Sequence, residues 1–122
     1  MSHLNRLSSD SIEELFRGIL TLENVDECHA FFSDLLTVQE LSTFAQRLQV
    51  AGLLSQGKTY EAIEKQVSVS SSTITRINTE LHYGAGGYQA VLERLSQQKA
   101  AESLDDAEPA ESKSMGVLPN PQ

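Results

Sequence analysis

The sequence has no tryptophan and only one cysteine, and aromatic residues make up 6% of its 122 residues. The single cysteine, Cys28, excludes an internal disulfide, so a reduced, cytoplasmic setting is expected. No apolar run reaches the length of a membrane-spanning helix, and the polar N-terminus MSHLNRLSSD differs from a secretory signal. The chain is therefore expected to have no membrane association and a core built mainly from aliphatic side chains.

Basic residues are also scarce, since nine Lys and Arg stand against seventeen Asp and Glu, for a net charge of -8. Residues 1–36 hold two Arg and seven acids, and residues 100–122 hold one Lys and five acids. The middle segment, 37–99, holds six bases and five acids and is close to neutral. Attraction to phosphates depends on the Lys and Arg that reach the nucleic-acid backbone and not on total charge. The composition therefore allows a nucleic-acid partner for the middle segment, with modest affinity.

The spacing of apolar residues predicts helices and no strand. The first helix is predicted to begin near Ser9 or Asp10, and the second after Asn24. Their apolar faces comprise Ile12, Leu15, Phe16 and Ile19 in the first helix and Val25, Cys28, Phe32 and Leu35 in the second. On that face Cys28 is most simply a small buried hydrophobe.

The third helix has the clearest start signal in the chain. Thr37-Val-Gln-Glu40 fits a capping box, in which the hydroxyl and the carboxylate each bond the other residue's backbone amide. Gly57 suits the left-handed residue that follows the end of a helix. Gly52 inside the helix indicates either a close helix crossing or a tolerated glycine.

The remaining chain predicts three further helices, over residues 59–66, 70–81 and 88 to about 99. Three glycines between residues 82 and 88 end the second of these. From residue 100 onward the chain is polar and acidic, which is typical of disorder. The expected organisation is one all-α domain of five to six helices over residues 1–99, followed by a disordered acidic tail over residues 100–122.

The stretch KTYEAIEKQVSVSSSTITRINTEL has the pattern of a helix-turn-helix over about 59–81. Such a motif needs two short helices that cross steeply around a small apolar knot. The knot would comprise Ile63, Val67, Val69, Ile74 and Ile77. Glu64 stands where a small residue is usual, and Ser68 where a glycine with positive φ is usual. We expect Glu64 to turn outward and Ser68 to adopt a left-handed conformation at some cost.

The second helix of the motif carries short hydroxyl side chains and one arginine between its apolar positions. Such groups can meet phosphates and base edges, and a helix N-terminus favours anions. The candidate DNA-binding residues are Lys58, Thr59, Ser70, Ser71, Ser72, Thr73, Thr75 and Arg76. Arg76 is the only strong guanine reader on this helix. The alternative is that the serines only cap a solvent-exposed helix.

From Leu35 to Tyr88 the sequence resembles the Trp repressor superfamily, and in particular a branch with the motif N-x-x-L-x-Y-G-x-G-G-Y. That motif comprises Asn78, Leu81, Tyr83, Gly84, Gly86, Gly87 and Tyr88. The resemblance implies an all-α, intertwined homodimer whose recognition helices, about 70–81, enter successive major grooves of a near-palindromic operator. It therefore implies a sequence-specific transcriptional regulator that acts as a repressor.

The resemblance also implies a dimer interface and an effector site. The interface candidates are Phe16, Phe31, Phe32 and Leu36, and the alternative is that they form an ordinary monomer core. In tryptophan-responsive members the indole ring lies between two arginines, near a threonine at a helix start. The matching positions here are Thr37, Arg47 and Arg76, which makes an aromatic amino acid a candidate corepressor. The alternative for Arg47 is a partly buried arginine satisfied by a glutamate or by backbone carbonyls.

Other chemistries have little support in the sequence. His3, His29 and His82 lack metal-ligand spacing with one another or with Cys28, so no metal site is expected. No Ser/His/Asp or Cys/His set is organised by a motif, which argues against an enzyme. The glycines after residue 83 follow no strand and precede no Lys-Ser/Thr pair, unlike a phosphate loop. Two further functions stay open: a helix-turn-helix protein-interaction module without DNA binding, and the DNA-recognition unit of a transposition system.

Overall fold

The computed structural model describes the backbone of residues 2–117 and the side chains of residues 9–104. This part of the chain contains six helices and no strand: α1 (Ser2–Ile19), α2 (Val25–Leu35), α3 (Val38–Ser55), α4 (Tyr60–Gln66), α5 (Ser71–Tyr83) and α6 (Gly87–Val117). The predicted all-α class with five to six helices is confirmed. The chain divides into two compact units, Met1–Ala45 and Gln46–Gln122, so that α3 begins in the first unit and ends in the second.

The starts of α2 and α3 have local causes in the sequence. The side chain of Asn24 accepts a hydrogen bond from the N–H of Glu27 at 2.9 Å. The N–H of Thr37 donates to Oε1 of Glu40 at 2.8 Å, and the N–H of Glu40 donates to Oγ1 of Thr37 at 3.0 Å. The bond from the Thr37 backbone is the main cause that lowers the pKa of Glu40, and the hydroxyl adds to it. Both predicted helix starts, including the capping box, are confirmed.

The first and last helices extend beyond their predicted bounds. Helix α1 begins at Ser2 rather than near Ser9 or Asp10, and α6 continues to Val117, through a segment predicted to be disordered. An apolar stripe marks only the part of a helix that buries a face, whereas Ala and Glu, which are frequent in residues 100–117, favour helix without one. The side chains of residues 100–104 are exposed, and those of the later residues lie outside the described part. The domain boundary at residue 99 therefore stays a prediction.

The core lies in the second unit. The buried hydrophobic residues come from α3, α4, the following turn and α5: Val50, Ala51, Leu53, Ile63, Val67, Ile74, Ile77 and Leu81. Partly buried side chains pack against the cluster from Leu54, Tyr60, Val69, Tyr88 and Leu92. The predicted knot of the helix-turn-helix is therefore confirmed. Fully burying a single isoleucine of this kind stabilises the fold by about 1.5–3 kcal/mol.

The first unit has no comparable core within a single chain. None of its described residues, 9–45, is buried. The predicted apolar faces are exposed at Ile12 (49%), Phe16 (54%), Val25 (71%) and Leu35 (47%). Cys28, predicted to be buried, is half-buried, and the half-buried rings of Phe31 and Phe32 pack edge to face at 5.3 Å. Both helices were predicted, although α1 begins earlier than expected, and among the described residues 9–45 their apolar faces have no covering layer.

Gly52, inside α3, and Gly57, after the end of α3, have different roles. Gly57 has φ 82°, so the predicted left-handed residue after α3 is confirmed. A Cβ on Gly52 would lie 3.6 Å from Cδ2 of Leu92, which is ordinary van der Waals contact. Helix α6 therefore passes over Gly52 without requiring a glycine there, which favours the interpretation of a tolerated glycine.

Candidate nucleic-acid interface

Helices α4 and α5, joined by residues 67–70, form the predicted helix-turn-helix. The hydroxyl of Thr59 caps α4 by accepting the N–H of Ala62 at 3.1 Å. The hydroxyl of Ser70 caps α5 by accepting the N–H of Thr73 at 3.3 Å. Both helices are short, and such caps satisfy amides that have no partner within the helix.

The turn does not use a left-handed residue. No non-glycine residue in the described part of the chain has a positive φ, so the expectation for Ser68 is wrong. The chain leaves α4 in an extended conformation at Val67, with φ -127° and ψ 129°. The N–H of Val67 donates to the carbonyl of Ile63 at 2.7 Å. Since an extended exit needs no positive φ, it also needs no glycine. Glu64 is exposed, as expected for an outward side chain.

One contact of the turn is not evident from the sequence. Nε2 of Gln46 on α3 donates to the carbonyl of Ser68 at 3.3 Å, across 22 positions of the chain. The bond satisfies a backbone carbonyl in the turn and connects the turn to α3. The only sequence signal is a polar residue among the apolar positions of α3, which does not reveal its partner.

Some hydroxyl groups at the start of α5 lie within hydrogen-bond distance of one another, and others are only exposed to solvent. Oγ of Ser70 lies 3.0 Å from Oγ of Ser72 and 3.0 Å from Oγ1 of Thr73. The side chains of Ser71 and Thr75 are exposed to solvent. The capping role that the sequence raised is therefore confirmed for Ser70, whose contact with DNA stays a prediction, and Thr73 is half-buried beside it. The exposed hydroxyl residues at this helix start are 70, 71, 72 and 75.

Arg76, the predicted guanine reader, lies on the exposed side of α5. Its Nε is 3.8 Å from Oε1 of Glu80, and 76% of its side chain is exposed. Lys65 on α4 forms a similar pair with Glu61 at 3.7 Å. Exposed pairs of residues four apart on a helix contribute about 0.3–0.5 kcal/mol. The guanidinium can therefore leave Glu80 for another partner at little cost.

The candidate effector residues lie in both units. Thr37 belongs to the first unit and forms the capping box, whereas Arg47 on α3 and Arg76 on α5 belong to the second. The second unit also contains an open cleft of about 510 Å³ lined by Leu48, Glu80, Ala85, Gly87, Tyr88 and Val91. This lining includes an acidic residue and neither candidate arginine. Glu80 in this lining is the ion-pair partner of Arg76, and the effector role of Thr37, Arg47 and Arg76 stays a prediction.

The glycine-rich segment after α5 ends the helix, as predicted. A Cβ on Gly84 would overlap the carbonyl oxygen of Glu80, and the N–H of Gly84 donates to that oxygen at 2.9 Å. Gly86 has φ 90°, a conformation that favours glycine. Nε2 of Gln89 on α6 donates to the carbonyl of Leu81 at 2.8 Å. These contacts fix the last turn of α5 against the start of α6.

No helix in the described part of the chain combines the length and apolar character needed to span a membrane. Within the same part, no group of three or more His, Cys, Asp and Glu side chains is placed to hold a metal ion. His29 and His82 are exposed, and His3 lies outside the residues whose side chains are described.

A family model described as Trp repressor protein matches residues 10–96, a span that runs from α1 into α6. This chain belongs to the Trp repressor family. The uncharacterized protein YerC of Bacillus subtilis (strain 168) is 37% identical over 100 residues, which cover 82% of this chain and 96% of that protein.

Two solved structures have the same fold. A TrpR-like protein from Eubacterium eligens ATCC 27750 has a TM-score of 0.71 and 40% identity, and the match covers 75% of this chain and 95% of the other. A Staphylococcus aureus protein provisionally assigned as a Trp repressor has a TM-score of 0.70 and 43% identity, with 76% and 93% of the chains covered. The predicted family and fold are confirmed. Proteins of the Trp repressor family are regulators and not enzymes, and membership indicates a DNA-binding regulator.

Proposed function

We propose that this protein is a sequence-specific transcriptional repressor that binds operator DNA as a homodimer, with α5 in the major groove. The observation that carries the proposal is the two-sided character of α5. One side is buried in the core through Ile74, Ile77 and Leu81. The other side exposes hydroxyl groups and Arg76. A helix of this kind fits the major groove, which is about 12 Å wide.

The proposal assigns different contacts to the residues of the motif. Arg76 reads a guanine through two hydrogen bonds to O6 and N7. The hydroxyls and N–H groups at the start of α5, where the helix dipole favours anions, bond phosphates and base edges. The proposed contact set is the one predicted from sequence: Lys58, Thr59, Ser70, Ser71, Ser72, Thr73, Thr75 and Arg76.

The proposed dimer rests on the first unit. Its described residues have no buried member, and Phe16 and Val25 leave more than half of their side chains exposed. Exposed apolar surface costs about 25 cal/mol for each Å² that could be buried, and contiguous patches mark interfaces. A second copy is the proposed cover because it also supplies a second α5, and two heads compensate for the near-neutral charge of each one.

Charge favours a second candidate function, a protein-interaction module. Lys65 and Arg76 each pair with a glutamate of their own helix, at 3.7 Å and 3.8 Å. While these pairs persist, the two cations attract phosphates less, and the helix-turn-helix can instead dock a protein. The transposition alternative and the aromatic amino-acid corepressor at Thr37, Arg47 and Arg76 stay predictions.

The deciding experiment selects bound sequences from a random pool of duplex DNA with the full-length protein, with and without tryptophan. The repressor proposal expects a near-palindromic motif, and an affinity that falls steeply with salt as condensed counterions are released. If the protein is instead an interaction module, no DNA should be retained even at low salt. Recovery of a motif only in the presence of tryptophan would support the corepressor.

A further inference from the structure

The exposed face of α5 extends beyond the residues at its start. Residues 72, 76, 79 and 83 are spaced by four, three and four positions, so they share one face of the helix. Ser72, Arg76, Thr79 and Tyr83 all have exposed side chains. The buried residues of α5, at positions 74, 77 and 81, lie on the opposite face. The candidate DNA-binding residues predicted from sequence cover only the first half of this exposed stripe.

Tyr83 is the most exposed large side chain of the stripe. Its exposed fraction is 87%, and its ring lies beside the imidazole of His82 at a centroid distance of 6.3 Å. Tyr88, the other tyrosine of the glycine-rich motif, packs instead against the core. Core packing therefore explains Tyr88 and leaves the position of Tyr83 unexplained.

The backbone around Tyr83 is firmly held although the side chain is exposed. Tyr83 is the last residue of α5. The next residue, Gly84, bonds back to Glu80 at 2.9 Å, and Gln89 of α6 bonds the Leu81 carbonyl at 2.8 Å. The phenol is thus presented at a fixed place along the stripe. Thr79 offers no comparable donor, since its hydroxyl donates to the Thr75 carbonyl at 3.0 Å.

On the basis of the proposed function, we propose that Tyr83 contacts the DNA backbone, with its hydroxyl donating to a phosphate oxygen at the rim of the major groove. At about 1.5 Å per residue, Arg76 lies about 6 Å and Tyr83 about 16 Å beyond Ser72 along the helix axis. The groove is about 12 Å wide. A helix whose first turns lie in the groove therefore carries Tyr83 past the bases to the sugar–phosphate strand.

This placement separates the two roles along one helix. Arg76 reads a base, whereas Tyr83 sets how deeply and at what angle α5 enters the groove. Contacts to phosphate fix orientation and carry no direct sequence information. A phenol is also a neutral donor, so it replaces no counterion and adds nothing to the salt dependence of binding.

The test is Tyr83→Phe in the full-length chain, which removes only the hydroxyl. Loss of one hydrogen bond is expected to weaken binding about 2- to 12-fold, by the same factor for specific and unrelated duplexes. The base preference and the salt slope should stay as in the wild type. The matched control is Tyr88→Phe, which removes a hydroxyl from the core-packed tyrosine and should leave affinity unchanged. Equal melting temperatures would show that all three proteins are folded.

The outcomes separate this inference from the proposed function. If the wild type binds a defined motif and Tyr83→Phe binds it equally well, the phosphate contact of the Tyr83 hydroxyl is overturned. A changed base preference in Tyr83→Phe overturns the backbone role, because the hydroxyl then reads a base. Absence of any DNA binding by the wild type overturns the proposed function and the inference with it.

Discussion

Arg76 is both a charged residue of α5 and the residue proposed to read a base. Its guanidinium lies 3.8 Å from the Glu80 carboxylate, one turn further along the helix. Both side chains are mainly exposed, so water screens the pair and its contribution is small. In the proposed complex Arg76 exchanges a weak partner for the two acceptors of a guanine. The pair with Glu80 thus keeps this face of α5 nearly neutral in the free protein. It still leaves the arginine able to bind a base.

Replacing this arginine tests its proposed role directly. We expect Arg76→Ala to lose discrimination at one guanine position by about 5- to 150-fold, since a bidentate contact is worth about 1–3 kcal/mol. The salt slope should stay close to that of the wild type, because Arg76 is proposed to contact a base and not a phosphate. Competition binding with operator variants measures both effects. The control is Lys65→Ala, which removes an equally paired cation from α4. Unchanged preference in Arg76→Ala would remove the guanine-reading role.

The capping box of α3 leads to a prediction about the stability of the fold at low pH. The bond from the Thr37 N–H holds the pKa of Glu40 below its usual value of 4.5. A carboxyl with a lowered folded pKa stabilises the fold above its unfolded pKa, and this contribution is lost as pH falls through the folded pKa. We therefore expect the wild type to lose stability below about pH 4.5 more steeply than Glu40→Gln. Urea unfolding between pH 3 and 7 tests this, and parallel profiles would contradict it.

At the scale of the element, both ends of α5 are fixed, by different means. Ser70 caps its start with a side-chain hydroxyl, and a glycine that cannot bear a Cβ follows its end. Between them the buried isoleucines hold the helix on the core. The exposed face therefore has a defined direction and length before any partner is bound, which lowers the entropic cost of binding.

The end of α5 can be tested with paired glycine substitutions. In Gly84→Ala the new Cβ meets the carbonyl of Glu80, so the last turn must shift, at an expected cost of about 1–3 kcal/mol. Gly87→Ala is the control, because a Cβ there meets nothing within 4 Å. Chemical unfolding compares the two variants. Equal stability of both would contradict a required glycine at position 84.

The elements show which features the sequence encodes locally. The caps at Asn24, Thr37 and Ser70 and the apolar knot depend on residues within one turn or one motif, so their pattern predicts them. The path of the turn depends on Gln46, 22 positions away, and no local signal at Ser68 indicates it. The extra length of α6 has few large apolar residues, so no stripe indicates it. At the candidate site, the sequence pattern places Arg76 on the exposed face of α5, and the structure shows Tyr83 exposed as well.

At the scale of the whole molecule, the two units differ in how they bury apolar side chains. The second unit has a continuous core around Ile63 and Ile74, both fully buried. The first unit has helices with apolar faces and, among residues 9–45, no buried side chain. The proposed second copy would cover these faces. Dimerisation then depends on residues of the first unit, and operator binding by two copies of α5 depends on dimerisation.

Phe16 is the residue of choice for testing the proposed dimer. We expect Phe16→Asp to shift the protein from dimer to monomer in sedimentation velocity runs, because a charge cannot be buried in an apolar interface without a large penalty. Operator binding should weaken in parallel. The control is Leu104→Asp, which places the same charge on an exposed leucine of α6. A wild-type protein that is monomeric while it binds its operator would contradict the proposal.

The uncovered faces of residues 9–45 also bear on how the protein responds to its own abundance. If apolar burial is completed only between two copies, the number of competent pairs grows with the square of the chain concentration while single chains predominate. Occupancy of an operator then rises more steeply than the rate of synthesis. The thermal midpoint rises with concentration for the same reason. A modest change in expression would therefore produce a larger change in operator occupancy, so the concentration of the protein would itself regulate the operator.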